Sequence, residues 1–494
     1  MERLHLEGRL YEDLETRRRY GRDLSGYRVT PRLVAEPRDE EDARRVLEYA
    51  VRTGTPLTCR GAGSNLSGSA VGGGVLFSCR RLQGVELRGR RVRVGPGTVY
   101  DRLNRQVAAR GLSLRYDVSS GGFSTVGGNV ATRAGGLRSI KYGTVERALR
   151  GVRFLDPVRG LVDTAEGLPP DLAGGLRLLR EELLADPGAV AFLERRRGLK
   201  SSSGYNLHAL LDFPEPEDMA AHLMAGSVGT LGIFTALDLE LADLQPYRRL
   251  DAAFFDTTLR AAGAAPRIAA LGPSALEHMD RFGVGLIEQR TDLPVPRNAG
   301  AVLLVELEGP EGDRVGEELG RVLADQALSH LRVGEEKAEA LWKIRWSMLT
   351  RIRKTYEDSA HRFISFVDDL AVPPPAMVPF IEEIEGVFSG EGLPVLVYGH
   401  VGEGNLHIRP LVARRGWRRT VRRIGERCFR AALAHGGTLV AEHGMGRNRC
   451  PYLGWEWGDV GRYLGRIKAL FDPRGLLNPG TLFRCRDITR DFSF

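Results

Sequence analysis

Apolar positions alternate between two spacings along this chain. Ala43, Val46, Leu47, Ala50 and Val51 recur at helical spacing behind Asp39, a side chain suited to capping, and Gly54 ends the run. Short β-branched and apolar runs at 56–59, 75–78, 92–94 and 151–155 predict strands, and 100–110 predicts a helix closed by Gly111. Residues 168–198 read as Arg-rich helix, and 226–239 turns from Gly/Ser-rich to strand-like. Past about residue 243 the texture changes. Strand patterns at 250–255, 301–307 and 364–367 alternate with helical patterns at 257–271, 313–325 and 337–354, which predicts a second α/β layer unit. A strand pair at 395–398 and 406–411, a helix at 417–435 and a helix at 463–471 complete the pattern. Residues 1–30 are charged and irregular.

Two segments break both periodicities. Arg60-Gly61-Ala62-Gly63-Ser64-Asn65-Leu66-Ser67-Gly68 is one. The other runs from Ser119 to Gly143 and holds Gly127-Gly128-Asn129, Thr132, Gly135-Gly136 and Lys141-Tyr142-Gly143. A stretch this long without periodicity is unusual in a compact domain unless it wraps a ligand. Glycines let backbone N–H groups approach an anion closely, and Ser64, Asn65 and Ser67 add donors. Neither segment has the G-x-G-x-x-G spacing at a helix start, so a Rossmann site is not supported.

Composition narrows the class. With 494 residues, 42% hydrophobic and 27% charged, the chain is globular and too long for a single core. Of its 71 basic residues only six are lysines, and the net charge of +8 is mild for this length, so nucleic-acid binding is not demanded. The five cysteines (59, 79, 428, 450, 485) are odd in number and scattered. They imply no disulfide framework and no zinc or iron–sulfur spacing, which favours a reducing, cytoplasmic setting. The charged N-terminus lacks a signal-peptide core, and no apolar run approaches the ~20 residues that span a bilayer, so contact with the inner membrane face would be peripheral.

The polar residues with chemical promise gather late in the chain. In His400-Val-Gly-Glu403-Gly-Asn-Leu-His407-Ile-Arg409, strand alternation puts His407 and Arg409 on one face, and His400 ends the preceding strand. Glu442-His443-Gly444 follows. Two imidazoles and a carboxylate make a normal ligand set for a divalent metal with open positions, and His443 beside them is a candidate general base. Arg345 is a candidate bidentate clamp for a carboxylate, although a surface helix arginine is the commoner outcome. The arginines of the 417–435 helix are read mainly as a solvated face, with an acidic partner or lipid headgroups as the alternative.

Together these motifs resemble the FAD-dependent D-2-hydroxyacid dehydrogenases of the vanillyl-alcohol oxidase type, the group of D-lactate dehydrogenase and the glycolate oxidase flavoprotein subunit. The likeness runs from about residue 30 to 483. It is carried by the two Gly-rich segments, Ser203-Gly-Tyr-Asn-Leu207, Gly226-Ser with Gly229-Thr-Leu-Gly232, Asp369-Leu-Ala-Val-Pro373, the His400–His407 segment, Glu442-His-Gly444 and Leu477-Asn-Pro-Gly480.

The resemblance implies an α+β architecture. A PCMH-type FAD-binding domain of two α/β subdomains would fill 31–243 after an N-terminal extension, a ferredoxin-like cap domain 244–435, and 436–494 would return to the flavin. It implies FAD contacts from Arg60, Gly61, Ala62, Gly63, Ser64, Asn65, Ser119, Ser120, Gly127, Gly128, Asn129, Thr132, Gly135, Gly136, Tyr142, Gly143, Gly229, Ile233 and Asn478. It further implies His400, His407 and Glu442 as ligands of Zn, Mn or Fe, His443 as base, and Arg345 and Arg409 on the substrate. Oxidation of a D-lactate- or glycolate-like acid is expected, with electrons passing to an iron–sulfur subunit, an electron-transfer flavoprotein or a quinone. Departures from the pattern are Glu403 for Asp, Val228 for Glu, Arg133 for Asn, and Val367 where some members carry a substrate lysine, which puts dicarboxylate substrates in doubt. With no histidine between residues 6 and 207, histidyl linkage through the first loop is excluded and FAD is expected to be noncovalent. Two rival readings are a redox-neutral flavoenzyme of the ether-lipid synthase type and a flavin-free basic binding protein.

Overall fold

The computed structural model describes residues 4–245, 248–483 and 485. Three sheets organise the chain. The first is small and mostly parallel, in the order Arg9–Tyr11, Leu33–Glu36, Val75–Ser78, Leu57–Arg60. Its covering helix, Glu40–Thr53, starts where Asp39 accepts from the Asp42 amide at 3.0 Å and stops at Gly54 in the left-handed region, φ +64°. The second sheet is antiparallel, in the order Val85–Arg88, Arg91–Val94, Ile233–Asp243, Leu149–Asp156, Gly160–Asp163, with Leu112–Leu114 also paired to Ile233–Asp243.

The third sheet begins at Arg248–Phe255. Its first four strands lie in the order Ser329–Val333, Arg248–Phe255, Ala301–Glu308, Ala275–Asp280. That is the fourth–first–third–second order of a ferredoxin-like unit, with helices Thr258–Ala269 and Gly312–Leu323 as its crossovers. The sheet then extends through Val395–His400, Asn405–Ala413 and His361–Phe363. The architecture is therefore α+β, as the motifs imply.

The differences from the sequence reading are local. The strand expected at 364–367 lies earlier, at His361–Phe363, because the chain leaves the sheet to carry Asp368 and Asp369 inward. The stretch taken as irregular before residue 31 holds the edge strand Arg9–Tyr11 and the helix Leu14–Tyr20, capped by Asp13. The second Gly-rich segment contains the short helices Val126–Thr132 and Ser139–Tyr142. The strands Ala275–Asp280 and Ser329–Val333 and the helices Arg281–Arg290 and Met377–Ser389 have no counterpart in the sequence reading. On the helix Trp417–Ala434, Arg422 meets Glu426 at 3.0 Å and Arg423 meets Glu391 at 2.7 Å, so part of its charge is spent locally.

The cysteines need a correction. Cys450 and Cys485 form a disulfide, with Cα atoms 5.7 Å apart. A 35-residue spacing carries no recognisable pattern, and only the return of the tail brings the two together. The cysteine argument for a reducing setting therefore no longer holds. Among the described residues no helix is long and apolar enough to cross a membrane.

The tail closes on the first sheet. Leu57 donates to the Leu476 carbonyl at 2.9 Å, and Asn478 donates back to Leu57 at 2.7 Å. The third sheet is locked to the N-terminal half by charge. Arg138 meets both oxygens of buried Glu306, at 2.6 and 2.9 Å, while the Tyr142 hydroxyl donates to Glu308 at 2.5 Å and Lys141 approaches it at 3.2 Å. Removing one member of such a pair leaves an uncompensated buried charge. Arg138→Ala is expected to cost about 3–5 kcal/mol, read as a lower urea midpoint. The double variant Arg138→Ala/Glu306→Leu should recover most of that loss.

Candidate active site

A cavity of about 470 Å³ lies where the three sheets meet. The N-terminal half supplies its glycine-rich wall, including Arg60, Gly61, Ala62, Gly63, Ser64, Asn65, Ser119, Ser120, Gly127, Gly128, Asn129, Thr132, Gly135, Gly229 and Ile233. The cap side supplies Arg345, Trp346, Leu349, Thr350, Tyr398, His407 and Arg409, and the returning C-terminal segment Glu442 and His443.

Local backbone explains the first wall. Gly63 sits at φ +75°, and a Cβ there would meet the Arg60 guanidinium at 2.0 Å. Arg60 itself is a strut, donating to the carbonyls of Tyr20 and Ala70, each at 3.2 Å. Among the described residues the N–H groups of Ala62, Gly63 and Ser64 find no protein acceptor. A row of free amides facing a cavity suits an anion such as a diphosphate. Thr125 caps the helix Val126–Thr132, and a Cβ on Gly127 would meet Pro96 Cβ at 2.5 Å, so glycine lets that helix close against the 95–97 turn. This wall fits a dinucleotide.

Four predicted contacts stand away from the cavity lining. Gly136 packs on Asp117, Tyr142 reaches Glu308, and Gly143 turns at φ +76° against Arg147. Asn478 is buried, donating to the carbonyls of Ser69 at 2.8 Å and Val228 at 2.7 Å. These four hold the loops rather than face the space between them.

The second wall is a cluster around one carboxylate oxygen. The hairpin pairs His400 with Asn405 and Tyr398 with His407, turning at Gly404 with φ +74°. Glu442 Oε1 lies 3.2 Å from His400 Nε2, 3.5 Å from His407 Nε2 and 3.9 Å from His443 Nε2. His407 and His443 stack with centroids 5.2 Å apart. Burial disfavours charge on His400, but Glu277 and Glu442 outweigh it and hold the imidazole up at about 9. His407 is raised against burial by Asp368 and Glu442. For Glu442 burial opposes ionisation, yet His400 and Lys200 hold it well below the usual carboxylate range.

Ligands about 2.0–2.1 Å from one metal stand roughly 2.8–3.4 Å from each other, octahedral at the short end and tetrahedral at the long end. The contacts of Glu442 Oε1 with His400 and His407 fall close to that edge length. Ligand atoms of Asp369, His407, Glu442 and His443 likewise lie within 4.8 Å of one another. Asp369 differs from the rest because its oxygens already accept from the amides of Ala441, Glu442 and His443, at 3.1, 3.0 and 2.8 Å. It braces the segment. Imidazoles and carboxylates gathered this closely have the donor chemistry of a divalent-cation site; His400 meets Glu442 Oε1 from outside that group and outside the cavity lining.

Arg345 is 5% exposed and is no surface arginine. Its Nε and Nη2 face Glu277 Oε2 at 2.8 and 2.5 Å, and its Cζ lies 4.9 Å from the Tyr398 ring centroid. That leaves Nη1 for a ligand. Arg409 is held by Asp368 at 2.7 Å and by Ser365.

Four further residues organise the site and were not singled out from sequence. Glu277 bridges Arg345 and His400, whose Nδ1 it meets at 2.6 Å. It is one of three polar residues, with His278 and Asp280, in the fully buried strand Ala275–Asp280. Asp368 and Asp369 follow the strand-like run 364–367; Asp369 opens the Asp369–Pro373 motif, and Asp368 belongs to no motif. Lys200, one of six lysines, is buried with its Nζ 2.7 Å from Glu442 Oε2 and 3.2 Å from Glu403 Oε2. Burial lowers its pKa, but those two carboxylates raise it further and keep it charged. The glycine-rich wall meets the cluster directly, since Asn65 Nδ2 donates to the His443 carbonyl at 3.0 Å.

Comparison with known proteins agrees with this geometry. Residues 31–164 match the FAD binding domain model, and 244–482 match the FAD linked oxidases C-terminal domain model. The chain is 30% identical over 485 residues to the glycolate oxidase subunit GlcD of Escherichia coli (strain K12), covering 94% of this chain and 87% of that one. It is 27% identical over 462 residues to a D-lactate dehydrogenase of Archaeoglobus fulgidus, covering 92% and 91%. A solved alkyldihydroxyacetonephosphate synthase shares the fold, with TM-score 0.66 at 17% identity over 95% of this chain and 82% of that one. The free-amide cradle, the cap sheet and these matches converge, and the chain belongs to the FAD-linked oxidase family.

Proposed function

We propose that this FAD-linked oxidoreductase oxidises a D-2-hydroxyacid to the 2-oxoacid, using the two walls of the cavity together. The observation that carries the reading is that Arg345, Glu442, His407 and His443 open into the same glycine-walled cavity, with His400 behind them against Glu442. When bound, the flavin supplies a hydride acceptor and a divalent metal at His400, His407 and Glu442 supplies Lewis acidity.

The chain's own residues do the rest. Arg345 Nη1 binds the substrate carboxylate, and its tether to Glu277 fixes the angle of approach. His443 Nε2 takes the hydroxyl proton, held in place by its backbone bonds to Asp369 and Asn65. A tetrahedral carbon has four directions. Carboxylate toward Arg345, hydroxyl toward the cluster and hydrogen toward the glycine wall leave the fourth substituent facing the cap helix Glu335–Tyr356. There Trp346, Leu349 and Thr350 line the cavity. This face favours a D-lactate-like acid with an apolar side chain. Val367 is buried in the core and offers no lysine to a second carboxylate.

The similarity to a glycolate oxidase subunit supports electron delivery to a separate acceptor, such as an iron–sulfur subunit, an electron-transfer flavoprotein or a quinone.

Anaerobic addition of D-2-hydroxy-4-methylpentanoate or D-lactate to the flavin-loaded protein is expected to bleach its visible absorbance, and D-malate to do so poorly. No bleaching with any D-2-hydroxyacid overturns the reading. His443→Ala should slow bleaching by about 10²–10⁴-fold with little change in the substrate concentration needed. Arg345→Lys should raise that concentration at least tenfold, because an ammonium lacks the planar fork. EDTA should abolish bleaching and added Mn²⁺ or Zn²⁺ restore it.

A further inference from the structure

Lys200 is a buried charge beside the cluster that the steps above leave unused. It lies just past the helix Pro187–Arg195, in a segment that belongs to the N-terminal half, yet it is aimed at a carboxylate of the C-terminal segment. The ammonium touches Glu442 Oε2 at 2.7 Å, Glu403 Oε2 at 3.2 Å and Ser139 Oγ at 2.9 Å. Its position is fixed from three sides. Ser202 donates from its amide to the Val440 carbonyl at 2.9 Å, and its Oγ accepts from the Gly444 amide at 3.0 Å, so 200–202 and 440–444 move as one piece. The stem passes Gly135, where a Cβ would lie 3.4 Å from Lys200 Cε. Ser139 Oγ, shared with the Gly136 carbonyl at 2.6 Å and with Glu403, closes the third side.

The two oxygens of Glu442 therefore have different duties. Oε2 belongs to the ammonium, and Oε1 alone faces His400, His407 and His443. We propose that Lys200 is a positioning residue that holds Glu442 to one-oxygen ligation of the divalent cation, leaving one more coordination position for the hydroxyacid. This rests on the metal reading given above. A carboxylate freed from its ammonium can close on a metal with both oxygens. It then binds the cation more tightly and fills a position that a catalytic site must keep open. Glu403 and Ser139 prevent that by holding Lys200 against Glu442 instead of letting it swing away.

The sign of the effect separates positioning from plain structural support. A Lys200 that merely stabilised the fold would, when lost, loosen the cluster and weaken metal binding. In the flavin-loaded protein stripped of metal, Lys200→Met is expected to bind Mn²⁺ at least tenfold more tightly than wild type by calorimetry, and kcat with a dye acceptor should fall at least tenfold. Co²⁺-loaded Lys200→Met should show weaker visible absorption than Co²⁺-loaded wild type, as the added oxygen raises the coordination number. Lys200→Arg, which keeps a cation at the carboxylate, should return both readouts toward wild type. Lys200→Gln carries the same expectations as Lys200→Met where the Met variant fails to fold. Equal or weaker Mn²⁺ binding, or tighter binding with an unchanged Co²⁺ spectrum, overturns the proposal and leaves the metal reading standing. Absence of stoichiometric Mn²⁺ binding by wild type overturns both.

Discussion

The site depends on one carboxylate that never needs to meet the substrate. Asp369 accepts hydrogen bonds from three successive amides, those of Ala441, Glu442 and His443. It does so from a left-handed backbone conformation, φ +72°, that a non-glycine residue adopts at a cost of order 1–3 kcal/mol. Charge-assisted bonds to three N–H groups offset that strain. Without Asp369 the segment that carries the shared carboxylate and the candidate base has no regular secondary structure to hold it. Asn405, donating to the same Asp369 at 3.3 Å, ties this brace to the hairpin that presents His400 and His407.

From there the polar interior builds outward as linked pairs. Asp368 serves Arg409 and lies 3.2 Å from His407, and Glu277 serves Arg345 and His400. Each of these four charged side chains, Asp368, Arg409, Glu277 and Arg345, has an opposite charge within reach, which is what a low-dielectric interior requires. A flavoprotein active site of this kind is a network whose members fix one another's orientation, with His407, His443 and Arg345 on the cavity lining. The glycine wall is its opposite, a surface that presents backbone instead of side chains.

Much of this was legible in the sequence. The Gly-rich runs, the His400–His407 hairpin and Glu442-His443 stand out because residue types that rarely cluster do so there. The alternation after residue 243 revealed an α/β unit, and Asp39 with Gly54 marked a helix whose caps are purely local. Long-range residues were harder. Glu277 lies within the strand Ala275–Asp280, which shows no clean alternation because all of its residues are buried. Lys200 and Asp369 matter through partners 242 and 72–74 positions away, a relation no window of sequence displays. The short helix Val126–Thr132 was hidden because its glycines, chosen for close packing, erase helical propensity. The Cys450–Cys485 bond likewise depends on where the tail ends in space.

The tie between Asn65 and the His443 carbonyl has a consequence for how such proteins diverge. The loop that cradles the dinucleotide and the segment that bears the base share a hydrogen bond across 378 positions of chain. The two halves are therefore not interchangeable modules. A hybrid that joined this N-terminal half to a relative's C-terminal half, its returning segment included, would have to rebuild that seam at the reacting centre. Change in substrate preference is then easiest on the helix that bears Trp346 and Leu349, which line the cavity without taking part in that tie.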